Sequence, residues 1–148
     1  MRPATRTEDG SALVEFTWLA ILLLVPLLYI VLAVFEVQRA AYGVSNAARA
    51  AGRAVTVAPG EAEAHRHAQV AADVALVDQG VDLRSRILHV RCEPEPRNCL
   101  APGSVVHVEV ATSVALPLVP DFLGAHRPSI RVSAEHSVPY GRYREDVP

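Results

Sequence analysis

Lysine is missing from this chain: its fourteen basic side chains are all arginine, set against sixteen Asp and Glu for a formal net charge of −2. That balance leaves no basic excess to neutralise a phosphate backbone, so no nucleic-acid partner is expected. Aromatic residues are scarce, at 5% of a chain that is 51% hydrophobic, so the apolar content rests on Ala, Val and Leu. That much apolar content with so little net charge excludes a wholly disordered chain. Two cysteines are too few for a disulfide scaffold or a four-cysteine zinc site. The phosphate-binding glycine loop, the dinucleotide fingerprint and paired-Cys metal motifs are all missing, so neither cofactor nor metal is expected. A length of 148 residues leaves room for about one domain.

What the chain does have is a concentrated apolar run. Residues 16–35, FTWLAILLLVPLLYIVLAVF, are twenty positions without a charge. A helix of that length reaches about 30 Å, the thickness of a bilayer's hydrocarbon core. A buried core helix of twenty residues would carry a polar stripe, and this run carries none. It exceeds the apolar stretch of a cleaved secretory signal and lacks a small-x-small site after it. It reads as a retained single membrane helix, with membrane lipid as its first partner.

The helical pattern continues past the run. Val37, Ala41, Val44, Ala48, Ala51 and Val55 alternate in spacings of four and three, supplemented by Gly43, Ala47 and Ala54, so one helix is expected over residues 11–57. Small residues let helix backbones approach closely. The stripe suits either a packing face for this chain's own domain or a seam between subunits. Pro59-Gly60 breaks the helix, and residues 61–79 read as a second one. Glu61 and Glu63 lie in its first turn, and Gly80 is placed to cap it. Its apolar face is expected from Val70, Val74 and Val77 with Ala68, Ala71 and Ala75. Three segments then alternate with period two, at residues 86–92, 104–116 and 129–138, and read as strands. Residues 117–128 (PLVPDFLGAHRP) are too rich in proline for regular structure. The expected fold is α+β: a long N-terminal membrane helix, then a second helix packed on a three-stranded antiparallel sheet. The divisions are residues 1–10 as a leader, 11–57 as the helix and 58–148 as a small domain.

Cys92 and Cys99 bracket Glu-Pro-Glu-Pro-Arg-Asn, a segment dense in turn formers. So close a pair reads as a small disulfide loop that persists only outside the reducing cytosol; the alternative is two inert thiols. Arginine counts on the two sides of the apolar run do not set its orientation, with Arg2 and Arg6 before it and Arg39, Arg49 and Arg53 after it. The cysteines favour the C-terminal part outside the cytoplasm.

Catalytic constellations are weak. His65 and His67 are two apart on a helix and point to nearly opposite sides. His107 and His136 suit cross-strand neighbours, but no third ligand has a metal-site spacing, and solvated surface histidines are the simpler reading. Gly43-Val44-Ser45-Asn46-Ala47 echoes a nucleophile elbow but sits inside the long helix. Glu93 and Glu95 flank Pro94 as solvated loop charges. No catalytic residue is assigned, and no enzyme is expected.

One charge stands out. Glu15 touches the start of the apolar run, where an ionised carboxylate is costly, and Gly10 lies five residues before it in GSALVEF. An ordinary flanking charge snorkelling to the headgroups would explain Glu15 alone. The string also resembles the type IV prepilin signature, in which a peptidase cuts after a glycine and leaves Glu fifth in the mature chain. By that resemblance Gly10 and Ser11 flank the cleavage site and Glu15 sets the register of assembly, neutralised by a neighbour's N-terminal ammonium. Together with Phe35-Glu36-Val37-Gln38-Arg39 and Asn46-Ala47-Ala48-Arg49-Ala50-Ala51, residues 8–55 are similar to TadE-like proteins. Those are minor pilins or pseudopilins of the tight-adherence (Flp) type IV pilus system. The resemblance implies a pilin-like fold, a role in pilus assembly, and a place in the cell membrane or an extracellular pilus. It also implies other pilin subunits, a prepilin peptidase and an inner-membrane assembly platform as partners. The alternative is an unprocessed membrane-anchored binding module of the cell envelope, for which Glu15 is dispensable.

Overall fold

The computed structural model describes residues 9–116 and 128–143, with side chains described from residue 12 onward. The connection expected at residues 117–128 therefore lies outside the described residues except for Pro128. The chain folds as α1 (Asp9–Thr56), α2 (Glu61–Asp78), a 3-10 turn (Leu83–Ser85), then β1 (Ile87–Glu93), β2 (Val105–Ala115) and β3 (Ser129–Pro139). The three strands form one antiparallel sheet in the order β1-β2-β3. The class is α+β, as the sequence implies, with element limits within a few residues of expectation.

α1 runs unbroken for 48 residues and carries Pro26 inside it. Proline removes one helical N–H and crowds the preceding turn, yet the flanking apolar residues keep the helix going on both sides. The second half of α1 is the centre of the fold. Val44, Ala47, Ala48, Ala51 and Val55 are buried, so the small-residue stripe is a packing face for this chain's own domain. Ala41, expected in that stripe, is exposed, and its neighbour Ala40 is buried instead.

Two expectations about packing are corrected. α2 was expected to lie on the sheet; it packs on α1, and α1 in turn packs on β2 and β3, so the long helix is the middle layer. The buried face of α2 is Ala64, Ala68, Ala72 and Leu76, whereas Val70, Val74 and Val77 are 63%, 56% and 57% exposed. Alanines at spacings of four let α2 approach α1 closely, which valines on that face would prevent. The cap at Gly80 is as expected. Its φ of +66° places it in the left-handed region, its N–H donates to the Val77 carbonyl at 2.8 Å, and the Val81 N–H donates to the Leu76 carbonyl at 2.9 Å. That is the Schellman arrangement, which satisfies the last carbonyls of a helix.

The sheet offers α1 the alternate residues Val106, Val108 and Val110 of β2, all fully buried, flanked by half-buried Leu88 and Val90 on β1 and Val132 and Ala134 on β3. Arg86 Nε meets Asp73 Oδ1 at 2.9 Å and ties the start of β1 to α2. The Ser85 and Thr112 hydroxyls meet at 3.0 Å and hold the 3-10 turn to β2.

Gly52 marks the tightest approach of α1 to the sheet, because a Cβ there would lie 2.8 Å from Val138 Cγ2 and 3.6 Å from His136 Cδ2. Val138 is branched at Cβ and held in a strand, so it cannot swing clear. Gly52→Leu is expected to cost about 1–3 kcal/mol by overpacking and to lower the thermal midpoint in detergent. An unchanged melting curve would mean that helix and sheet are not this close.

Candidate functional site

The first half of α1 has no cover within the fold. Nearly every large apolar residue from Leu13 to Phe35 is 40–71% exposed, on all sides of the helix. This stretch is long and apolar enough to cross a membrane. Its polar atoms are handled locally: the Thr17 hydroxyl donates to the Leu13 carbonyl at 2.8 Å, which removes a free donor from an apolar setting. Just past the run, Arg39 pairs with Glu36 at 2.7 Å on the helix surface. The apolar stretch is therefore followed by a self-neutralised pair.

Glu15 is exposed on the first turns of α1, and no described residue forms an ion pair with it. Gly10 and Ser11 have helical backbone, since α1 begins at Asp9. These three expected positions lie together at one end of α1. The disulfide lies at the other end of the domain.

Cys92 and Cys99 are bonded to one another, with Cα atoms 5.1 Å apart and both residues buried. Glu93 and Glu95 between them are exposed; Glu95 is a loop charge as expected, whereas Glu93 is the last residue of β1 and pairs with Val105. The Cys99 N–H donates to Glu61 Oε2 at 3.2 Å, so the first turn of α2 is fastened to the disulfide loop. Gly60 precedes that turn without a side-chain cap, and Glu61 thus serves tertiary structure as well as the helix dipole.

The outer face of the sheet carries a polar group that the sequence did not reveal. Antiparallel register sets Arg91 opposite His107, and His107 opposite Ser137. Ser137 Oγ lies 2.8 Å from His107 Nδ1, Glu135 Oε1 lies 3.6 Å from the same nitrogen, and Arg91 reaches Glu135 at 3.3 Å. A hydroxyl, an imidazole and a carboxylate in contact invite comparison with a hydrolytic triad. There the imidazole bridges its partners through two different nitrogens, whereas here both approach Nδ1. The arrangement is a surface polar network, not a proton relay. Period-two alternation would have put Arg91 and His107 on the outer face, but only the register brings Ser137 and Glu135 to them.

His107 and His136 do not meet. His136 pairs with Val108 and so occupies the inner face, half-buried near Gly52, on the opposite side of the sheet from His107. The cross-strand neighbourhood that the spacing allowed is therefore not formed, and the reading of both as solvated surface histidines is corrected for His136, which is half-buried on the inner face. His65 and His67 are exposed, with His65 3.9 Å from Glu61. Among the described residues no group of three or more His, Cys, Asp or Glu is placed to hold a metal ion. Ser45 lies within α1, on a helical backbone unlike the strand-to-helix turn of a nucleophile elbow.

No family model, no curated protein and no solved structure matches this chain.

The disulfide closes a short loop that the core depends on. Replacing Cys92 and Cys99 together with serine is expected to cost about 2–3 kcal/mol by loop entropy, with a lower thermal midpoint. Intact mass with and without reductant, on protein from its native host, is expected to differ by two hydrogens. Equal masses would mean that the thiols are free in the cell.

Proposed function

We propose that this chain is a structural, single-span membrane subunit of TadE-like type that takes part in assembling a tight-adherence (Flp) type IV pilus. The observation that carries the reading is the division of α1 into an uncovered apolar half and a half buried as the centre of a small α+β domain. An apolar helix uncovered on every side needs lipid or other apolar helices around it. Its continuation as the domain's own core makes the joint between the two stiff, as a subunit that packs by its helix requires. Glu15 adds to the reading. Glu15 has no ion-pair partner among the described residues; Asp78, Glu93, Glu95 and Glu109 share that property but lie in the domain, whereas Glu15 lies beside the apolar run. A carboxylate at that depth is a strong site for a cation supplied by a neighbouring subunit, and the N-terminal ammonium of a chain cut after Gly10 is such a cation. The Cys92–Cys99 bond supports an extracytoplasmic domain, because such a bond persists outside the reducing cytosol. The partners are other pilin subunits, a prepilin peptidase and the inner-membrane assembly platform.

One observation favours the membrane-anchored binding module instead. The Gly10–Ser11 bond lies inside α1, so a peptidase would have to unwind the first turn to reach it. On that second reading the leader stays, and the outer sheet face carrying Arg91, His107 and Glu135 is the surface presented to a partner.

The N-terminus of the chain isolated from its native host separates the two. A mature chain beginning at Ser11 is expected; one beginning at Met1 or Arg2 would favour the anchored module. Glu15→Ala is expected to abolish incorporation into assembled pili while leaving the membrane fraction of the protein unchanged. Normal incorporation of that variant would end the register role.

A further inference from the structure

One end of the sheet reaches down alongside the uncovered half of α1. Leu116, at the end of β2, and Ile130, at the start of β3, line an apolar groove with Tyr29, Ile30, Val34 and Val37 of the long helix. The groove is about 340 Å³, and Gln38 is the one amide side chain in its lining. Its helical wall belongs mostly to the uncharged run of residues 16–35. Tyr29 lies six residues before Phe35, or about 9 Å deeper along a helix that rises 1.5 Å per residue. A groove that begins at that depth cannot stay in water if the run crosses the bilayer.

We propose that the β2–β3 end of the sheet is seated in the membrane interface, with lipid acyl chains filling the groove between Leu116, Ile130 and α1. This rests on the reading of α1 as a membrane span. Three observations converge on lipid as the occupant. The groove is continuous with the uncovered belt of α1, so whatever solvates Val25 and Leu28 also reaches Ile30 and Val34. Ile130 is 42% exposed on a strand whose other end is well above this level, which fits an apolar tip in an apolar layer. Charged groups stand at the level of the groove, where headgroups would lie. The Glu36–Arg39 pair occupies the turn that follows Phe35, and Arg131, on the outer face of β3 and turned away from the groove, has no ion-pair partner among the described residues. An arginine at that level can bury its stem and offer its guanidinium to lipid phosphate. The domain then does not float above the membrane on a stalk. It stands on the surface, and the rigid joint between α1 and the sheet fixes its tilt.

The test uses the full chain in phosphatidylcholine–phosphatidylglycerol vesicles, read by tryptophan fluorescence. Trp18, the single tryptophan, reports the span. Ile130→Trp in a Trp18→Phe background reports the tip of the sheet. Tyr143→Trp in the same background reports the far end, where Tyr143 is fully exposed. Quenchers are lipids bearing a nitroxide near the top of the acyl chain or at its middle, and iodide in the water. The expected result for Ile130→Trp is a blue-shifted emission, loss of iodide quenching, and stronger quenching by the shallow nitroxide than by the deep one. Tyr143→Trp is expected to be quenched by iodide alone. If Trp18 is quenched by lipid nitroxides while Ile130→Trp is quenched by iodide, the seating is wrong and the span stands. If Ile130→Trp is shielded from both iodide and lipid nitroxide, protein fills the groove, and the lipid assignment is overturned. If Trp18 itself is open to iodide and not to lipid, the span fails, and the seating fails with it. Circular dichroism and retention of the Cys92–Cys99 bond confirm that each variant is folded.

Discussion

The domain hangs on one interface, the small-residue face of α1 held between α2 and the sheet. A helix that must be approached closely from two sides cannot carry large side chains on either, and α1 answers with Ala47, Ala48, Ala51 and Gly52 through its middle, closed at the ends by Val44 and Val55. α2 replies in kind with Ala64, Ala68 and Ala72, and only Leu76 adds bulk at its far end. The sheet supplies the volume instead, through Val106, Val108 and Val110. Aromatic side chains are almost missing from this core; Tyr140 is the one that is buried among the described residues. That is the structural meaning of a sequence with much Ala and Val and few rings. Close backbone approach replaces interdigitating bulk as the source of dispersion and apolar burial.

How much of this was legible depended on which rule governed each element. The long helix was readable because twenty uncharged residues followed by a four-three spacing admit one interpretation. The strands were readable by parity, since Val106, Val108 and Val110 alternate with His107 and Glu109. The face of α2 was misread because hydrophobicity favours valine over alanine, while the geometry of two close helices favours alanine over valine. Size won, and Val70, Val74 and Val77 were left outward with nothing in the chain over them. The layer order was illegible for a related reason. A helix amphipathic enough to pack on a sheet is also amphipathic enough to pack on another helix, and periodicity does not name the partner. His136 was misplaced against a readable signal. It shares the alternate positions of Ile130, Val132 and Ala134, the apolar face of β3, whereas His107 alternates with the valines of β2, so parity alone sets the two histidines on opposite faces.

The candidate site divides the same way. Cys92 and Cys99 were legible as a pair because their spacing and turn-forming neighbours are local properties, and the bond lies where expected. The contact of Glu61 with the Cys99 backbone was not, since it joins residues far apart in the chain. Glu15 was legible as an anomaly from its place beside the apolar run. The fold adds that the charge is left without a described partner, whereas Glu36 and Glu63 pair with arginines one turn away on the helix surface, each contributing little, and Asp73 and Glu135 pair across elements. On the proposed reading, the partner of Glu15 is a cation from a neighbouring subunit that meets the first turns of α1.

If α1 spans the bilayer and the sheet is seated as proposed, the two together constrain how such a subunit would leave the membrane. Transfer of an apolar helix from lipid to a bundle of similar helices changes little in its apolar solvation, because lipid tails and leucine side chains are alike in this respect. The belt alone therefore gives no large preference for either state. The groove lined by Leu116 and Ile130 is different on the proposed reading, because flexible acyl chains would conform to its shape more readily than a straight helix. Leaving the bilayer would empty it unless a neighbouring surface fits. On the proposed reading, the balance then falls to the groups that gain most from a protein environment. Foremost is Glu15, whose charge is poorly served by lipid and well served by a cation at a fixed height. A belt indifferent to its surroundings, a groove that favours lipid and a carboxylate that favours a partner would make release from the membrane conditional on assembly.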